Sequence, residues 1–475
     1  MAAKQSEKMT LPMLTAMVVG SMVGAGIFNL PGRFAMATGP FGAIIAWAIA
    51  ATGMYMLARV FQVLAEKRPD IDSGVFAYAK AGFGDYVGFL SAFGYWLGSC
   101  LGNVFYWVLI GSTLGRFLPA VFGDGSSAAA IILALIGIWA FHFMILRGVK
   151  QAAFINTVVT IAKIVPILVA IIAFIVFFHW DQFAENFFGG VGMPDKTLLA
   201  QIRDTMLITV FVFLGIEGAS VYSRFAIKRS DVGTATILGF VGVTGLMVAI
   251  TLLPYAVAPR AAIAAVGNPS LAGALELAVG HWGAVLIAIG VLVSVLGAYL
   301  AWSLICAEVL FAAAKSKDMP ALFSVQNSNN VPANALWLTN IVVSLFVIST
   351  YWSRDAFNVM LDMTSVTALL PYLLVAGYGV LLARSGAAHG TMPRGRDLTI
   401  AMIAVIYVLF MFVAAGLKYV VLVAVLFTPG TILYVWARRE RNARLFTPTE
   451  LIIFGVTATV GLIGFVGLLT GFITP

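Results

Sequence analysis

The chain has 475 residues, of which 61% are hydrophobic and only 10% are charged, and its mean hydropathy is +1.01. This composition excludes a soluble globular domain and is typical of a membrane protein with many spans. The formal net charge is +8, but the basic residues are not clustered in one domain, so nucleic-acid binding is not indicated. Cys100 and Cys306 both lie in apolar segments and predict neither a disulfide framework nor a metal motif.

About thirteen apolar segments are long enough to cross a bilayer. The first begins near Thr10 and lacks a cleavage-site pattern, so we predict a retained span rather than a signal peptide. Segment 259–280 contains a helical pattern too short to cross and is expected to lie at the membrane interface. The predicted spans are 10–37, 40–64, 86–118, 127–146, 151–178, 200–226, 233–258, 281–314, 333–352, 356–383, 397–415, 417–437 and 449–473.

The distribution of basic residues predicts the orientation of the chain. With a cytoplasmic N-terminus, about nineteen lysines and arginines fall at cytoplasmic ends of spans and about seven at the opposite ends. This asymmetry favours a cytoplasmic N-terminus in a multi-pass protein of the cell inner (plasma) membrane. No extramembrane domain is predicted, so residues 1–475 form a single transmembrane domain.

The first span contains an unusual density of small residues in the run from Gly20 to Phe28, which includes Ser21, Gly24 and Gly26. Glycine and serine weaken a helix, and in lipid every backbone polar group needs a partner. We therefore predict a broken helix whose free backbone groups face a protected cavity. The alternative is close helix packing through small residues.

The sixth span has a second weak point between Phe211 and Ser220, where Gly215 and Gly218 flank Glu217. The first and sixth spans would run in opposite directions through the membrane. Interrupted helices at corresponding positions in two halves are typical of inverted-repeat transporters. We predict a first repeat over about 10–178, a second over about 200–383 and extra helices over about 397–473.

Two ionisable residues in the spans are candidates for coupling. Glu217 is predicted to serve as a proton site or as an electrostatic partner of the broken helix, with a structural acid as the alternative. Lys163 lies within the fifth span. Its ammonium is predicted either to replace a coupling cation beside the broken first helix or to snorkel toward the membrane surface.

Several polar and aromatic residues are candidates for contact with a substrate. Ser99 and Asn103 are four residues apart and share a helix face on the third span. Trp302 could form the wall of a pocket for a cation, and Phe211 could cover that pocket. Ser365 offers a hydroxyl. For Ser365, as for Thr364, Thr367, Asp362 and Glu308, structural pairing is the default interpretation.

No catalytic constellation is present in the sequence. The four histidines are scattered, none has a second ligand at metal spacing, and there is no phosphate-binding loop. We therefore predict no cofactor, no metal and no enzymatic activity.

The run Gly20–Phe28 resembles the first-helix signature of the amino acid–polyamine–organocation superfamily, and Gly215–Ser220 resembles its sixth-helix signature. The longer run Gly215–Arg224 is most similar to the basic amino acid/polyamine antiporter branch, especially arginine/ornithine exchangers. This resemblance covers nearly the whole chain. It implies an all-α protein with the leucine-transporter fold of five plus five inverted helices and extra C-terminal helices, 12–13 spans in total.

The resemblance also implies how a substrate amino acid is held. Backbone amides at Ala25, Gly26 and Ile27 would bind its carboxylate, and carbonyls near Met22, Phe211 and Leu214 its α-ammonium. Asn103, Ser99 and Trp302 match positions that face the distal cationic group in a related arginine/agmatine exchanger. Two departures are Ala25, where that exchanger has a serine, and Phe211, where it has a gating tryptophan.

Two further correspondences concern coupling. Glu217 matches the sixth-helix acid of that exchanger, and Lys163 resembles the fifth-helix lysine that fills the sodium position in sodium-independent relatives. The resemblance implies an obligate exchanger that imports arginine and exports ornithine. Lysine/cadaverine, arginine/agmatine or histidine/histamine exchange, and proton-coupled symport, are the alternatives. The expected partners are cationic amino acids and the lipid bilayer, without nucleic acid; a homodimer is left open.

Overall fold

The computed structural model describes residues 10–68, 70–71, 75–148, 152–193, 195–216, 229–353, 355–385 and 394–473. Within these ranges the regular elements are all helices. They are α1 Leu11–Met22, α2 Leu30–Ala37, α3 Pro40–Lys67, α4 Val75–Phe83, α5 Asp85–Gly115, α6 Pro119–Phe122, α7 Ala128–Leu146, α8 Ala152–Val176, α9 Trp180–Asn186, α10 Leu198–Phe213, α11 Arg229–Leu252, α12 Arg260–Ala265, α13 Ser270–Val279, α14 His281–Lys315, α15 Ala333–Ser349, α16 Ala356–Ser385, α17 Arg394–Arg439 and α18 Pro448–Leu469. Short 3₁₀ turns cover Ala25–Asn29, Leu253–Ala256, Ala321–Ser324 and Thr350–Trp352.

The first span is broken, as its glycines predict. α1 ends at Met22, and Gly24 is extended, with φ −96° and ψ −164°. A 3₁₀ turn over Ala25–Asn29 then leads into α2. The break leaves backbone groups without intrahelical partners in the interior of the protein.

The sixth span also leaves the helix where the sequence predicts. α10 ends at Phe213, and Leu214 has ψ 135°. Gly215 has φ +101°, a left-handed backbone conformation that residues other than glycine rarely adopt. Glu217 and the rest of the run to residue 228 lie outside the described residues.

The apolar helices account for most of the predicted spans. Among the described residues, nine helices are long and apolar enough to cross a membrane, or ten if α8 and α9, bent by 102°, form one span. α17 has 46 residues and non-helical angles at Gly416 (φ 78°, ψ 160°). A continuous helix of this length would be about 69 Å long, more than twice the hydrocarbon core of about 30 Å. α17 thus contains the two spans predicted on either side of Gly416, while the total of thirteen remains a prediction.

α5 is the central helix of the molecule. Of its apolar stretch, 94% is buried inside the protein, against 17% for α18, which lies at the periphery. Gly94, Gly98 and Gly102 repeat every four residues along the face that meets α16. A Cβ on Gly98 would lie 2.5 Å from the Thr367 hydroxyl, so the small residues permit the close approach of these two helices.

Candidate functional site

A cavity with about 540 Å³ of empty volume lies between the two helix breaks. Its walls come from both breaks and from α5, α14 and α16. The lining residues are Met22, Gly24, Gly26, Tyr95, Gly98, Ser99, Gly102, Tyr106, Phe211, Val212, Leu214, Trp302, Thr364 and Ala368. Apolar walls with a few convergent polar groups are typical of small-molecule sites.

The structure brings six of the predicted substrate-binding residues to this cavity: Met22, Gly26, Ser99, Phe211, Leu214 and Trp302. Ala25 and Ile27 are fully buried in the adjoining 3₁₀ turn. As the first residues of that turn, Ala25, Gly26 and Ile27 have N–H groups without an intrahelical acceptor. Gly26 lines the cavity and Ala25 and Ile27 flank it in the chain, and N–H groups at the start of a helical turn can bind an anionic group.

Two predicted residues are placed elsewhere. The Ser365 hydroxyl donates to the carbonyls of Leu207 and Leu361, each at 2.9 Å, and so connects α16 to α10. Asn103 is fully buried behind the wall, where its Nδ2 donates to Cys306 Sγ at 3.6 Å. Neither residue lines the cavity in this structure, and their contact with substrate stays a prediction.

Phe211 is fixed by an aromatic cluster. Its ring packs edge-on against Phe105, with centroids 4.8 Å apart, and Phe105 packs on Phe357 at the same distance. A Cβ added to Gly26 would lie 2.6 Å from Phe211 Cδ1. Glycine at position 26 is therefore needed for the two breaks to meet over the cavity.

Sequence reasoning missed several lining residues, including Tyr95, Tyr106 and Thr364. Tyr106 could have been found, because it follows Ser99 by seven residues and so shares its helix face. A Cβ on Gly24 would lie 3.9 Å from the Tyr106 hydroxyl, which places this phenol opposite the first break. Thr364 carried no distinguishing signal beside Ser365 and Thr367.

Lys163 supports the end of α1. Its Nζ donates to the carbonyl of Gly20 at 3.3 Å, and the residue is only 6% exposed. The last carbonyls of a helix lack intrahelical donors and carry partial negative charge, so a buried ammonium here is compensated. This contact favours the predicted role beside the broken helix over snorkelling.

The α2 end of the first span is joined to α16 by a buried ion pair. Arg33 Nη2 lies 2.8 Å from Asp362 Oδ1, and the Tyr419 hydroxyl donates to Asp362 Oδ2 at 3.0 Å. Asp362 is 5% exposed. The pairing expected for Asp362 is thus present, and it links α2, α16 and α17.

A second ionic cluster lies outside the spans at the α1 side of the molecule, the side on which α3 ends. Lys80 on α4 contacts Asp318 at 2.6 Å and Asp85 at 3.5 Å, and Asp85 also pairs with Arg438 at 2.8 Å. Burial raises the pKa of Asp318 to about 6, although its contact with Lys80 opposes this shift. The cluster connects α4, α5, α17 and the segment after α14.

The arrangement of the cavity suits an α-amino acid. Free amides at one break complement a carboxylate, and carbonyls at the helix ends complement an ammonium. Among the described residues, no group of three metal-ligating side chains is found. The backbone amides and carbonyls at the helix breaks are therefore the groups that can recognise the charged head of such a ligand.

The fold and this cavity define a polytopic transporter built on broken helices. The family model described as "Amino acid permease" matches residues 10–437, and the chain belongs to this family of leucine-transporter-like membrane proteins.

Three relatives in this family are similar to the chain over 90% or more of their length. The chain is 47% identical, over the full length of both proteins, to the "Arginine/ornithine antiporter" of Pseudomonas aeruginosa. It is 38% identical to the "L-lysine transport protein" of Corynebacterium glutamicum, covering 98% of this chain and 96% of the relative. It is 37% identical to the "Arginine/agmatine antiporter" of Chlamydia felis, covering 91% and 90%.

Proposed function

We propose that this protein is a secondary active antiporter that exchanges arginine for ornithine across a bacterial inner membrane by alternating access. The observation that carries this proposal is the cavity between two helix breaks in a chain that matches an arginine/ornithine antiporter over its full length. Arginine and ornithine share the α-amino acid head and carry the same charge at neutral pH. A one-for-one exchange would therefore be electroneutral.

Recognition of the head is assigned to backbone groups. The amides of Ala25, Gly26 and Ile27 bind the carboxylate, and the carbonyls of Met22, Phe211 and Leu214 bind the α-ammonium. The distal cation then extends toward Trp302, Ser99 and the region of Asn103. Tyr106, which the structure adds to this wall, presents a further ring face.

Lys163 takes the place of a coupling cation in this proposal. Its ammonium meets the carbonyl of Gly20 at the end of α1. In this proposal, the positive charge of the Lys163 ammonium removes the need for sodium to stabilise the broken helix. The proposal also includes a cytoplasmic N-terminus and no enzymatic activity.

The test is uptake of radiolabelled arginine into proteoliposomes preloaded with ornithine, agmatine, cadaverine, histamine or nothing. Uptake driven by internal ornithine, with little uptake into empty vesicles, is the expected result. Preference for agmatine or cadaverine would move the protein to the exchangers of an amino acid for its amine. Equal uptake into empty vesicles would exclude obligate exchange, and dependence on a pH gradient would then identify a proton symporter.

Glu217 is tested separately. If this acid is the electrostatic or proton-carrying partner of the sixth-helix break, Glu217→Gln lowers exchange and alters its dependence on pH. Exchange rates are measured between pH 5 and 8 with ornithine inside. A variant with the wild-type rate and pH profile would remove Glu217 from the mechanism.

A further inference from the structure

A second cavity, away from the substrate site, opens between the ends of α3, α16 and α17 on the α1 side. It holds about 310 Å³ of empty volume. Among the described residues that line it, all except Lys67 and Asp397 are apolar. Lys67 is the last residue of α3, and Asp397 lies in the first turn of α17. The cavity is thus an apolar groove with one acid and one base at the membrane–water boundary.

The acid and base of this groove are only partly satisfied by each other. Lys67 Nζ contacts Asp397 Oδ2 at 2.6 Å, and the two side chains are 13% and 5% exposed. Asp397 Oδ1 is buried and has no hydrogen-bond partner. A buried carboxylate oxygen requires an N–H or O–H donor, so this atom indicates a missing donor in the groove.

The lysine can also accept a further partner. An ammonium has three N–H donors, of which Asp397 uses one, leaving donors for an anionic oxygen. The neighbouring Arg68 is already engaged by Asp70 and by the Tyr378 hydroxyl. Among the described residues lining the groove, Lys67 is therefore the cation available to a ligand.

We propose that the groove binds the headgroup of a phosphatidylethanolamine molecule from the surrounding leaflet. The primary ammonium of the headgroup donates to Asp397 Oδ1, its phosphate accepts from Lys67 Nζ, and an acyl chain lies along the apolar wall. Phosphatidylcholine fits less well because its quaternary ammonium has no N–H. Phosphatidylglycerol has no cation for Asp397. A free amino acid has matching charges but no apolar tail for the walls.

The experiment is native mass spectrometry of the purified full chain with phosphatidylethanolamine, its N,N-dimethyl form, phosphatidylcholine and phosphatidylglycerol, all with the same acyl chains. We expect severalfold greater retention of phosphatidylethanolamine than of phosphatidylcholine, with the dimethyl form between them. Asp397→Asn should bring the ratio close to one. Asp204→Asn is the matched control, because it removes the partner of another lysine, Lys196, on the opposite side of the molecule and should keep the preference.

A second variant that keeps the Lys67–Asp397 ion pair tests the groove even if Asp397→Asn misfolds. Val63→Trp fills the groove from its apolar wall, and it should lower the retention of phosphatidylethanolamine several-fold while the protein stays monodisperse. Equal retention of phosphatidylcholine by the wild type would overturn the proposal. So would unchanged retention of phosphatidylethanolamine by Val63→Trp, or displacement of the lipid by excess free arginine.

Discussion

The two halves of the broken first span are held by different kinds of interaction. α2 and the residue that follows it form hydrogen bonds or ion pairs with four residues distant in the sequence. The end of α1 is held by the ammonium of Lys163. The bonds at the α2 side are Gly32 N to Ser270 Oγ at 2.9 Å, Arg33 to Asp362 at 2.8 Å, Arg260 to the Ala35 carbonyl at 2.7 Å and Tyr255 to the Thr38 carbonyl at 2.8 Å.

Because of this difference, displacing α1 and displacing α2 should cost different amounts of free energy. Displacing α2 would break a buried ion pair and several bonds that have no water to replace them. Displacing the end of α1 would break the charge-assisted bond from Lys163 to the Gly20 carbonyl, whose net contribution is about 1.5–3 kcal/mol. We therefore expect α1 to move from this conformation at a lower cost than α2. Three predictions test this difference between α1 and α2, and a fourth concerns the ionic cluster around Lys80.

The largest effect is expected at the ion pair of α2. Arg33→Met leaves the buried Asp362 without its cation, which costs about 3–5 kcal/mol of stability. The thermal unfolding temperature of the purified protein should fall clearly. Asp362→Asn in the same chain should restore much of the loss, because the uncompensated charge is then removed. If the double variant is no more stable than Arg33→Met, the ion pair does not hold α2.

The bond that holds α1 is expected to have the next largest effect. Lys163→Met keeps the apolar stem and removes the donor to the Gly20 carbonyl, which is expected to cost about 1.5–3 kcal/mol. Arginine exchange should fall about 10- to 100-fold if this cost is borne by the transport-competent conformation. Lys150→Met serves as a control for the loss of a lysine. Wild-type exchange by Lys163→Met would mean that the lysine does not support the break.

The joint between the halves is tested at Gly26. Gly26→Ala places a Cβ 2.6 Å from the Phe211 ring, and overpacking of this kind costs about 1–3 kcal/mol. Exchange should be strongly reduced. Phe211→Leu combined with Gly26→Ala should recover part of the activity, since the smaller side chain relieves the contact with residue 211 while the contact with Val212 Cγ1 at 2.7 Å remains. A Gly26→Ala variant with normal exchange would show that Gly26 and the Phe211 ring are not in tight contact.

The smallest effect is expected at the ionic cluster on the α1 side. The raised pKa of Asp318, about 6 against an ordinary 3.8, means that the folded state holds this proton more tightly than the unfolded state. Its contribution to stability therefore declines as pH rises from about 4 to 6, by at most about 1.4 kcal/mol per pH unit.

Unfolding measured across this pH range provides the test. Asp318→Asn should remove this part of the pH dependence, because the group no longer titrates. Lys80→Met should extend the decline above pH 6, since Lys80 lowers the pKa of Asp318. An identical pH profile in wild type and Asp318→Asn would contradict the assignment.

Much of the substrate cavity was predictable because helix breaks leave a local signal. The glycines of Gly20–Phe28 and Gly215 weaken the helix at these points, and they mark both breaks without knowledge of the fold. Ser99 and Trp302 were also found from their positions within apolar spans. By contrast, Asn103, which was expected to contact substrate, bonds to Cys306 in this structure, and Ser365, for which structural pairing was the default, bonds to Leu207 and Leu361. Their side-chain directions depend on neighbouring helices that no local pattern reveals.

The sequence by itself determined that this is a membrane protein of many helices, that two spans are broken, and which residues are costly to bury. Those properties follow from hydropathy and from the backbone preferences of glycine, both of which act locally. Only the tertiary structure decided that Arg33 meets Asp362, that Lys163 reaches the Gly20 carbonyl, and that Lys67 and Asp397 share a groove. The partners in these contacts are between 143 and 330 residues apart, so helix packing alone brings them together.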